Sequence, residues 1–542
     1  MPEDLPQGYY HRNFTYLLEF VEERYHAILN TEELSFLQDF QHLSRTAQRL
    51  YVRLYSRKGP LFRTDKLSYE DIPDITEAAQ ELISGAFLNQ EQDGESEQIL
   101  SLLLKDELIV LAGCPCAAMK KHEILALVAE SMSRDALIEA IPFEILRLCR
   151  LNTVKTYRLL FFGNLHQDMT DFVLHELGVT PFETYEVDAY AQCFSNRQAL
   201  DEALTLYDLG EQAGVAIENN DEDALLSLMT LLPSRNSDFP GLGFRHDRLI
   251  NNIARQLERH GCLYEAALLY RQSKSPPARE RIARILAKQD DNDAAIAICQ
   301  QVVAEPIDET EYEFAVKFMS RKMKKNDPAR TALPTLATNF KTFQLCLKPQ
   351  DMRVEALVCQ WAEDQGNTAF YVENGLLPGL FGLAFWDVIF SPVDGAFFNP
   401  YQRGPIDLFL TTFSQVRAQH IEERFETLAR PGVLQQIIAT NYQCKYGKAN
   451  YFVFWEMLSP ELVLLAVSSI PASDLLAVFR RLLIDLRNNR IGFPDLILFQ
   501  QGAYQLVEVK GPGDRLQINQ ERWFRFFTQS NIPASIANVS FQ

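Results

Sequence analysis

The sequence predicts a multidomain, mainly α-helical chain that closes in a C-terminal α/β unit. Three observations carry that prediction. At 542 residues the chain is long enough for roughly three or four compact units. From about residue 197 to 347, apolar residues recur every three or four positions between short polar turns, which is the period of amphipathic helices. After Arg490 the pattern changes to short β-like runs, Leu496 to Phe499 and Tyr504 to Val509, before a last helical stretch from about Leu516 to Phe527.

Composition removes several classes. Hydrophobic residues make up 47% and charged residues 23%, globular values that argue against long disorder. The most apolar stretch, Leu376 to Phe398, contains Pro378, Asp387 and Pro392, so it reads as buried core, and no membrane partner is expected. The opening MPEDLPQGYYHRNF lacks the basic and apolar regions of a secretory signal. Nine dispersed cysteines fit a reducing compartment. The close pair Cys114 and Cys116, with His122 downstream, lacks two further ligands at zinc spacing, so ordinary thiols are expected there. The net charge of −20 argues at first against a nucleic-acid partner, but a total does not report where the charge sits.

Taken in order, Phe14, Leu17, Leu18 and Val21, then Leu34, Leu37, Phe40 and Leu43, predict two N-terminal helices. Residues 45–66 hold seven basic residues against one acidic. Arg45, Arg49 and Arg53 share a helix face, Arg57-Lys58-Gly59-Pro60 breaks the helix, and Leu61-Phe62-Arg63 looks extended. Both a solvated basic face and a winged-helix-like phosphate contact fit this segment. Residues 102–130 read as two short helices around Gly113-Cys114-Pro115-Cys116, the second entered through Lys120-Lys121, which suits a small DNA-binding module. In the long helical region, Tyr264 to Tyr270 resembles Asp293 to Cys299, with small residues at matched places, as in tetratricopeptide-like pairs. Acid is concentrated there: residues 201–230 carry eight acidic residues and no basic one, whereas 317–330 carry six basic residues against Asp327. The charge is segregated, and the basic faces stand outside the average.

The C-terminal block opens with helices, Glu355 to Gln365 and Leu376 to Phe390. Gly492-Phe-Pro-Asp-Leu-Ile-Leu-Phe499 and Gln505-Leu-Val-Glu-Val-Lys510 then predict an antiparallel pair with a turn near Gln501-Gly502. Alternation places Glu508 and Lys510 on one face and Val507 and Val509 on the other, with Asp495 beside Glu508. Two hard oxygen ligands and one ammonium on an apolar sheet suit Mg²⁺ or Mn²⁺ and phosphodiester hydrolysis. Asp, a gap of roughly a dozen residues, then Glu-x-Lys is the PD-(D/E)xK nuclease pattern. An exposed cross-strand Glu/Lys pair is the bland alternative. The surrounding basic residues weigh against it: residues 480–530 hold eight basic and five acidic residues in an otherwise acidic chain.

Arg490-Ile-Gly-Phe-Pro-Asp-Leu496, Leu506-Val-Glu-Val-Lys-Gly-Pro-Gly-Asp-Arg-Leu516 and Gln520-x-x-Trp523 resemble the VRR-NUC domain, and more narrowly the Fanconi-anaemia-associated nuclease family. Tyr9-Tyr10 with Asn13-Phe14, Ala47 to Tyr55, Arg57 to Arg63, Phe385 to Phe390 and Pro405 to Leu408 extend the resemblance over nearly the whole chain.

The resemblance implies a restriction-endonuclease-like PD-(D/E)xK domain at the C-terminus. It divides the chain into an N-terminal DNA-binding region (1–100), a SAP-like segment (101–150), a helical linker with tetratricopeptide-like repeats (151–348) and the nuclease (349–542). It implies a structure-selective, divalent-metal-dependent nuclease acting near 5′ flaps and branched junctions, a 5′ flap endonuclease with 5′-to-3′ exonuclease activity and a role in interstrand crosslink repair. Asp495, Glu508 and Lys510 are the implied catalytic set. Glu373, Asp495, Glu508 and the Val509 carbonyl are the implied metal ligands. Arg487, Arg490, Gln520, Arg57, Lys58 and Arg63 are the implied DNA contacts. The expected partner is flapped or branched DNA, bound by a monomer with a dimer left open, in a nucleoid-associated cytoplasmic setting. The ubiquitin-binding zinc finger of eukaryotic members has no matching cysteine/histidine set here. A Holliday-junction resolvase and a non-catalytic DNA-binding scaffold are the alternatives.

Overall fold

The structure, a computed structural model, describes residues 6–57, 59–90, 96–113, 118–187, 192–235, 241–325, 327–334, 339–410 and 412–541. The chain divides into two compact units, Met1–Pro181 and Phe182–Gln542.

In the first unit, helices Tyr9–Tyr25, Thr31–His42 and Arg45–Tyr55 follow the apolar periodicity. Phe14, Leu17, Leu18, Val21, Phe36, Leu37 and Phe40 are all buried. Asn30 caps the second helix, its side chain accepting from the Glu33 amide while Glu33 accepts from the Asn30 amide. Phe14, Phe36, Phe40, Tyr51 and Phe87 pack edge-on and tilted around one centre. Leu61–Arg63 (β1) is extended, as expected. It pairs antiparallel with Ile145–Leu148 (β3), which also takes Leu88–Gln90 (β2), in the order β1-β3-β2. Strands of three and four residues show too little alternation to be read locally, so β2 and β3 escape sequence reading. The two short helices around residue 113 are present as Lys105–Ala112 and Lys121–Ser131, sharing a core of Leu108, Ile124 and Val128 with Ile99 and Leu103. Cys114 and Cys116 lie outside the described residues.

In the second unit, helices Arg197–Glu218, Glu222–Leu231, Leu242–His260, Leu263–Gln272, Ala278–Lys288, Asn292–Ala304 and Glu309–Lys322 pack largely on their sequence neighbours. Ala266, Ala283 and Ala295 are fully buried, which is the close approach that small residues permit.

The C-terminal sheet has five strands: Thr342–Leu347 (β4), Thr368–Tyr371 (β5), Leu496–Gln500 (β6), Ala503–Lys510 (β7) and Ala534–Phe541 (β8), in the order β4-β8-β7-β6-β5. β5/β6 and β6/β7 are antiparallel; β7/β8 and β4/β8 are parallel. The β6–β7 turn falls at Gln501-Gly502, both at positive φ. β4 precedes residue 349, so the sheet draws in a strand that the expected nuclease segment left outside. Helix Val354–Asp364 covers one face through Val358 and Ala362, against Leu345, Leu496, Leu498, Val507 and Val509. On the other face Ile497, Phe499 and Leu506 join the large core of Trp523, Phe527 and the apolar helix Leu376–Ala384. Among the described residues no single helix is long and apolar enough to cross a membrane. The bent pair Pro460–Ser469 and Ala472–Ile484, which passes by length and composition, buries Leu462, Val463, Leu475, Val478 and Phe479 in that core.

Candidate active site

The hairpin register builds the site. Leu496 lies opposite Val507, so Asp495, one residue before β6, falls beside Glu508. Asp495 Oδ2 accepts from the Val509 amide at 2.8 Å. Glu508 and Lys510 project together, with Lys510 Nζ 2.8 Å from Glu508 Oε1, while Val507 and Val509 are buried on the opposite face.

The loop before Asp495 is held from two sides. The Val372 amide donates to the Asp495 carbonyl at 2.7 Å. Asn374, at φ 53°, accepts from the Gly492 and Phe493 amides through Oδ1 at 2.7 and 3.2 Å. Gly492 itself has φ 94°, and a Cβ there would stand 2.8 Å from the Asn519 backbone, so only glycine lets this loop lie against the final helix, Ile518–Gln529. The segments that carry Asp495 and Glu373 are thereby fixed to each other by one backbone bond and two bonds to the Asn374 side chain.

Both sheet carboxylates are buried, Asp495 at 7% exposed and Glu508 at 1%. Desolvation, then repulsion from Asp495, pushes Glu508 up to about 8, against the opposing pull of Lys510. Desolvation pushes Asp495 up to about 6, opposed by the Val509 amide and reinforced by Glu373 and Glu355. Glu508 Oε2 is buried without a hydrogen-bond partner. An orphaned carboxylate oxygen inside a group of mutually repelling acids is the donor set that a hard divalent cation satisfies, so the residues fit the metal the motif implies.

Among the described residues no three His, Cys, Asp or Glu side chains already converge as a ligand cluster. Glu373 is held aside by its neighbours. It belongs to the site electrostatically, but one oxygen accepts from the Tyr371 hydroxyl and the other from Asn374 Nδ2 at 3.2 Å.

The expected DNA contacts separate into groups. Gln520 is a correction. It is 8% exposed, donates through Nε2 to Glu508 Oε1 at 2.6 Å and accepts from Lys510 Nζ at 3.0 Å, so its amide is spent on the carboxylate and the ammonium. Arg63 is a second correction. Its guanidinium forks to Asp65 and Glu107 and lies 3.7 Å from the Phe143 ring centroid, leaving it buried and neutralised. Arg57 is exposed and bonds the Tyr69 hydroxyl at 3.0 Å; Lys58 lies outside the described residues. Arg487 stacks over Phe244 at 4.4 Å on a cavity of about 620 Å³, which Phe409 also lines. Arg490 stacks over Phe409 at 4.7 Å.

Sequence reading missed Glu355, Tyr371 and Asn374. Glu355 stands in the first turn of helix Val354–Asp364, and Tyr371 ends β5 opposite Leu496. The three come near the Asp495 segment only in the folded chain, from more than a hundred residues away in sequence, and no local spacing announces them.

A VRR-NUC domain family matches residues 429–541, and the family "FAN1, HTH domain" matches residues 8–89. The chain is 34% identical to the Fanconi-associated nuclease 1 homolog of Pseudomonas aeruginosa over 99% of its own length and 96% of that protein. It is 24% identical to the Arabidopsis thaliana homolog over 98% of its length and 67% of that protein. The crystal structure of paFAN1 bound to a 2-nucleotide 5′ flap DNA with gap superimposes with a TM-score of 0.90 at 33% identity, covering 99% of each chain.

Proposed function

This chain belongs to the Fanconi-associated nuclease family, and on that footing we propose that it incises one strand of DNA near a 5′ flap, using Asp495, Glu508 and Lys510 with Mg²⁺ or Mn²⁺. The protein is a divalent-metal-dependent nuclease, structure-selective, mainly helical, with its VRR-NUC domain on a mixed sheet. Flap incision fits the role in interstrand crosslink repair that goes with the family. The single observation that carries the site assignment is the buried, mutually repelling pair Asp495 and Glu508, one oxygen of it orphaned, with an ammonium 2.8 Å away.

Asp495 and Glu508, with Glu373 and the Val509 carbonyl, would hold the cation. A bound divalent cation supplies charge neutralisation at the scissile phosphate and a more acidic attacking water. Lys510, fixed by Glu508 and Gln520, lies where it orients that water and offsets negative charge growing on the phosphoryl oxygens. Gln520 keeps Lys510 and Glu508 in register, and Gln517 in turn fixes Gln520 by donating its amide to Oε1 at 2.9 Å. Arg487, on the cavity beside Phe244, and Arg490, over Phe409, grip the strand end through its phosphate. Arg57 and Lys58 grip duplex backbone, which gives shape selection with little sequence preference. In this reading 1–100 and 101–150 hold DNA, 151–348 spans, 349–542 cuts, and a monomer acts on nucleoid DNA.

The test is cleavage of end-labelled 5′ flap, Holliday-junction and plain duplex substrates with Mg²⁺, comparing wild type with Asp495→Ala and Lys510→Ala. The reading expects flap cutting lost in both variants. Cutting that survives both removes the active-site assignment, and equal cutting of flap and duplex removes flap selectivity.

A further inference from the structure

A second concavity adjoins the carboxylates. It is a groove of about 450 Å³ between helix Val354–Asp364 and the sheet-edge strand β5, lined among others by Met352, Glu355, Gln360, Glu363 and Tyr371. Tyr371 and Glu355 bring its inner end beside the carboxylates. Tyr371 lies opposite Leu496, next to Asp495, and its hydroxyl donates to Glu373. At the other wall, Val354 approaches the end of β7, where its Cγ2 would meet a Cβ on Gly511 at 3.8 Å.

Resting on the cleavage reading above, we propose that this groove seats the nucleobase next to the scissile phosphate, with the Tyr371 ring and the Met352 side chain as its stacking surface.

The chemistry of the walls selects that occupant. Met352 and Tyr371 are 46% and 45% exposed, large apolar faces left open directly beside a polar centre. The bond to Glu373 fixes the tyrosine ring before any ligand arrives, so little freedom is lost on stacking. Glu355 and Glu363 accept from exocyclic amino and ring N–H groups, and the exposed Arg353, which lines the same groove, offers its guanidinium to the backbone phosphate. Gln360 pairs with either kind of base edge. A groove that is apolar in its body, mixed in charge at its rim and set beside the carboxylates through Tyr371 and Glu355 therefore takes the base while the phosphate lies at Asp495 and Glu508. Stacking on an aromatic face tolerates every base, in keeping with a nuclease that reads shape.

The experiment uses the full chain and 5′ flap DNA carrying a single 2-aminopurine, moved in turn across the nucleotides flanking the cut, with Ca²⁺ in place of Mg²⁺ to hold the complex. At one position the fluorescence should fall several-fold on binding. Tyr371→Ala should abolish that fall and Met352→Ala weaken it, while Tyr371→Phe, which keeps the ring and loses only the hydroxyl, should retain it. With Mg²⁺, removing that one base should slow wild-type cutting about tenfold, in the range a lost stack costs. Tyr371→Ala should cut intact and abasic flaps at equal rates. Equal quenching in wild type and Tyr371→Ala, or no position at which base removal slows wild-type cutting, overturns the groove. Quenching that follows Tyr371 in a chain that cuts no flap keeps the groove and removes the cleavage reading instead.

Discussion

Gln520 donates to Glu508 at 2.6 Å, and through its other atom accepts from Lys510, so one helix amide holds the acid and the ammonium of the sheet together. The amide reaches them because Gly492 lets the preceding loop press against the helix that carries it.

A Gln520→Leu variant should bind flap DNA with little change in Kd and cut it at least about tenfold more slowly, the size of effect that misplaced catalytic groups produce. Its pH–rate profile separates positioning from packing. An N–H donated to the carboxylate favours its charged form, so removing it raises the Glu508 pKa further. The acidic limb of the profile should therefore move to higher pH, and a limb that stays in place removes the positioning role.

Asp495 and Glu508 predict how stability follows pH. Their pKa values are raised in the folded protein, to about 6 and about 8, so the folded state holds their protons more tightly than the unfolded chain does. That contribution is complete below the ordinary carboxylate range and is lost as pH rises toward about 8. Without divalent cation, Tm should fall between about pH 5 and about pH 8, and added Mg²⁺ or Mn²⁺ should restore more at the upper end. Glu508→Gln should raise the metal-free Tm at the alkaline end by about 3 °C or more and flatten the slope. Differential scanning calorimetry across that range checks both.

Arg63 and Arg57 lie six residues apart and should fail in different assays. Arg63→Ala strands Glu107 and Asp65 and should cost on the order of 2 kcal/mol of stability, less than a fully buried pair because Asp65 is 42% exposed. It should leave the salt dependence of DNA binding unchanged. Arg57→Ala should spare stability and reduce the slope of log K against log salt by about 0.9, one lost phosphate contact. Chemical denaturation and binding titrations at several salt concentrations distinguish them.

Helix Glu309–Lys322 meets the nuclease block through a row of ion pairs: Arg525 with Glu313, Lys317 with Glu521 at 2.6 Å, and Arg481 with Glu309 at 2.7 Å. Glu313 and Arg525 are both buried, and burial raises the Glu313 pKa despite its partner. Glu313→Ala alone should cost about 3 kcal/mol, because it leaves a buried guanidinium with only its longer, 3.7 Å pair to Glu521. Glu313→Leu with Arg525→Met should recover most of that loss, since an apolar pair removes the desolvation cost on both sides. A double-mutant cycle by urea unfolding gives the coupling directly.

Much of this molecule is legible in one dimension. The apolar period of Phe14 to Val21 becomes a helix with those four residues buried. The Gln501-Gly502 turn closes the hairpin where it was expected, and period-two alternation puts Glu508 and Lys510 on one face. These are local properties, set by φ/ψ preference and side-chain period within a dozen residues, and the Asp495 to Glu508 pairing follows from them because a two-residue turn fixes register.

Other features depend on partners distant in sequence. β4, β5 and β8 are held by strands far away in the chain, and a four-residue edge strand such as β5 has no stable form without β6. Arg63 looked like a free cation until Glu107, 44 residues on, came within 2.6 Å of it. In sequence Gln520 is one more expected DNA contact, and the packing of helix on sheet puts its amide against Glu508 and Lys510. The sequence by itself determined the chemistry, two acids and a lysine on a hairpin, because strand alternation is local. Only the tertiary structure decided which cations are spent on internal pairs, which amide holds the lysine, and which tyrosine borders the site, because burial and desolvation arise only when distant segments meet.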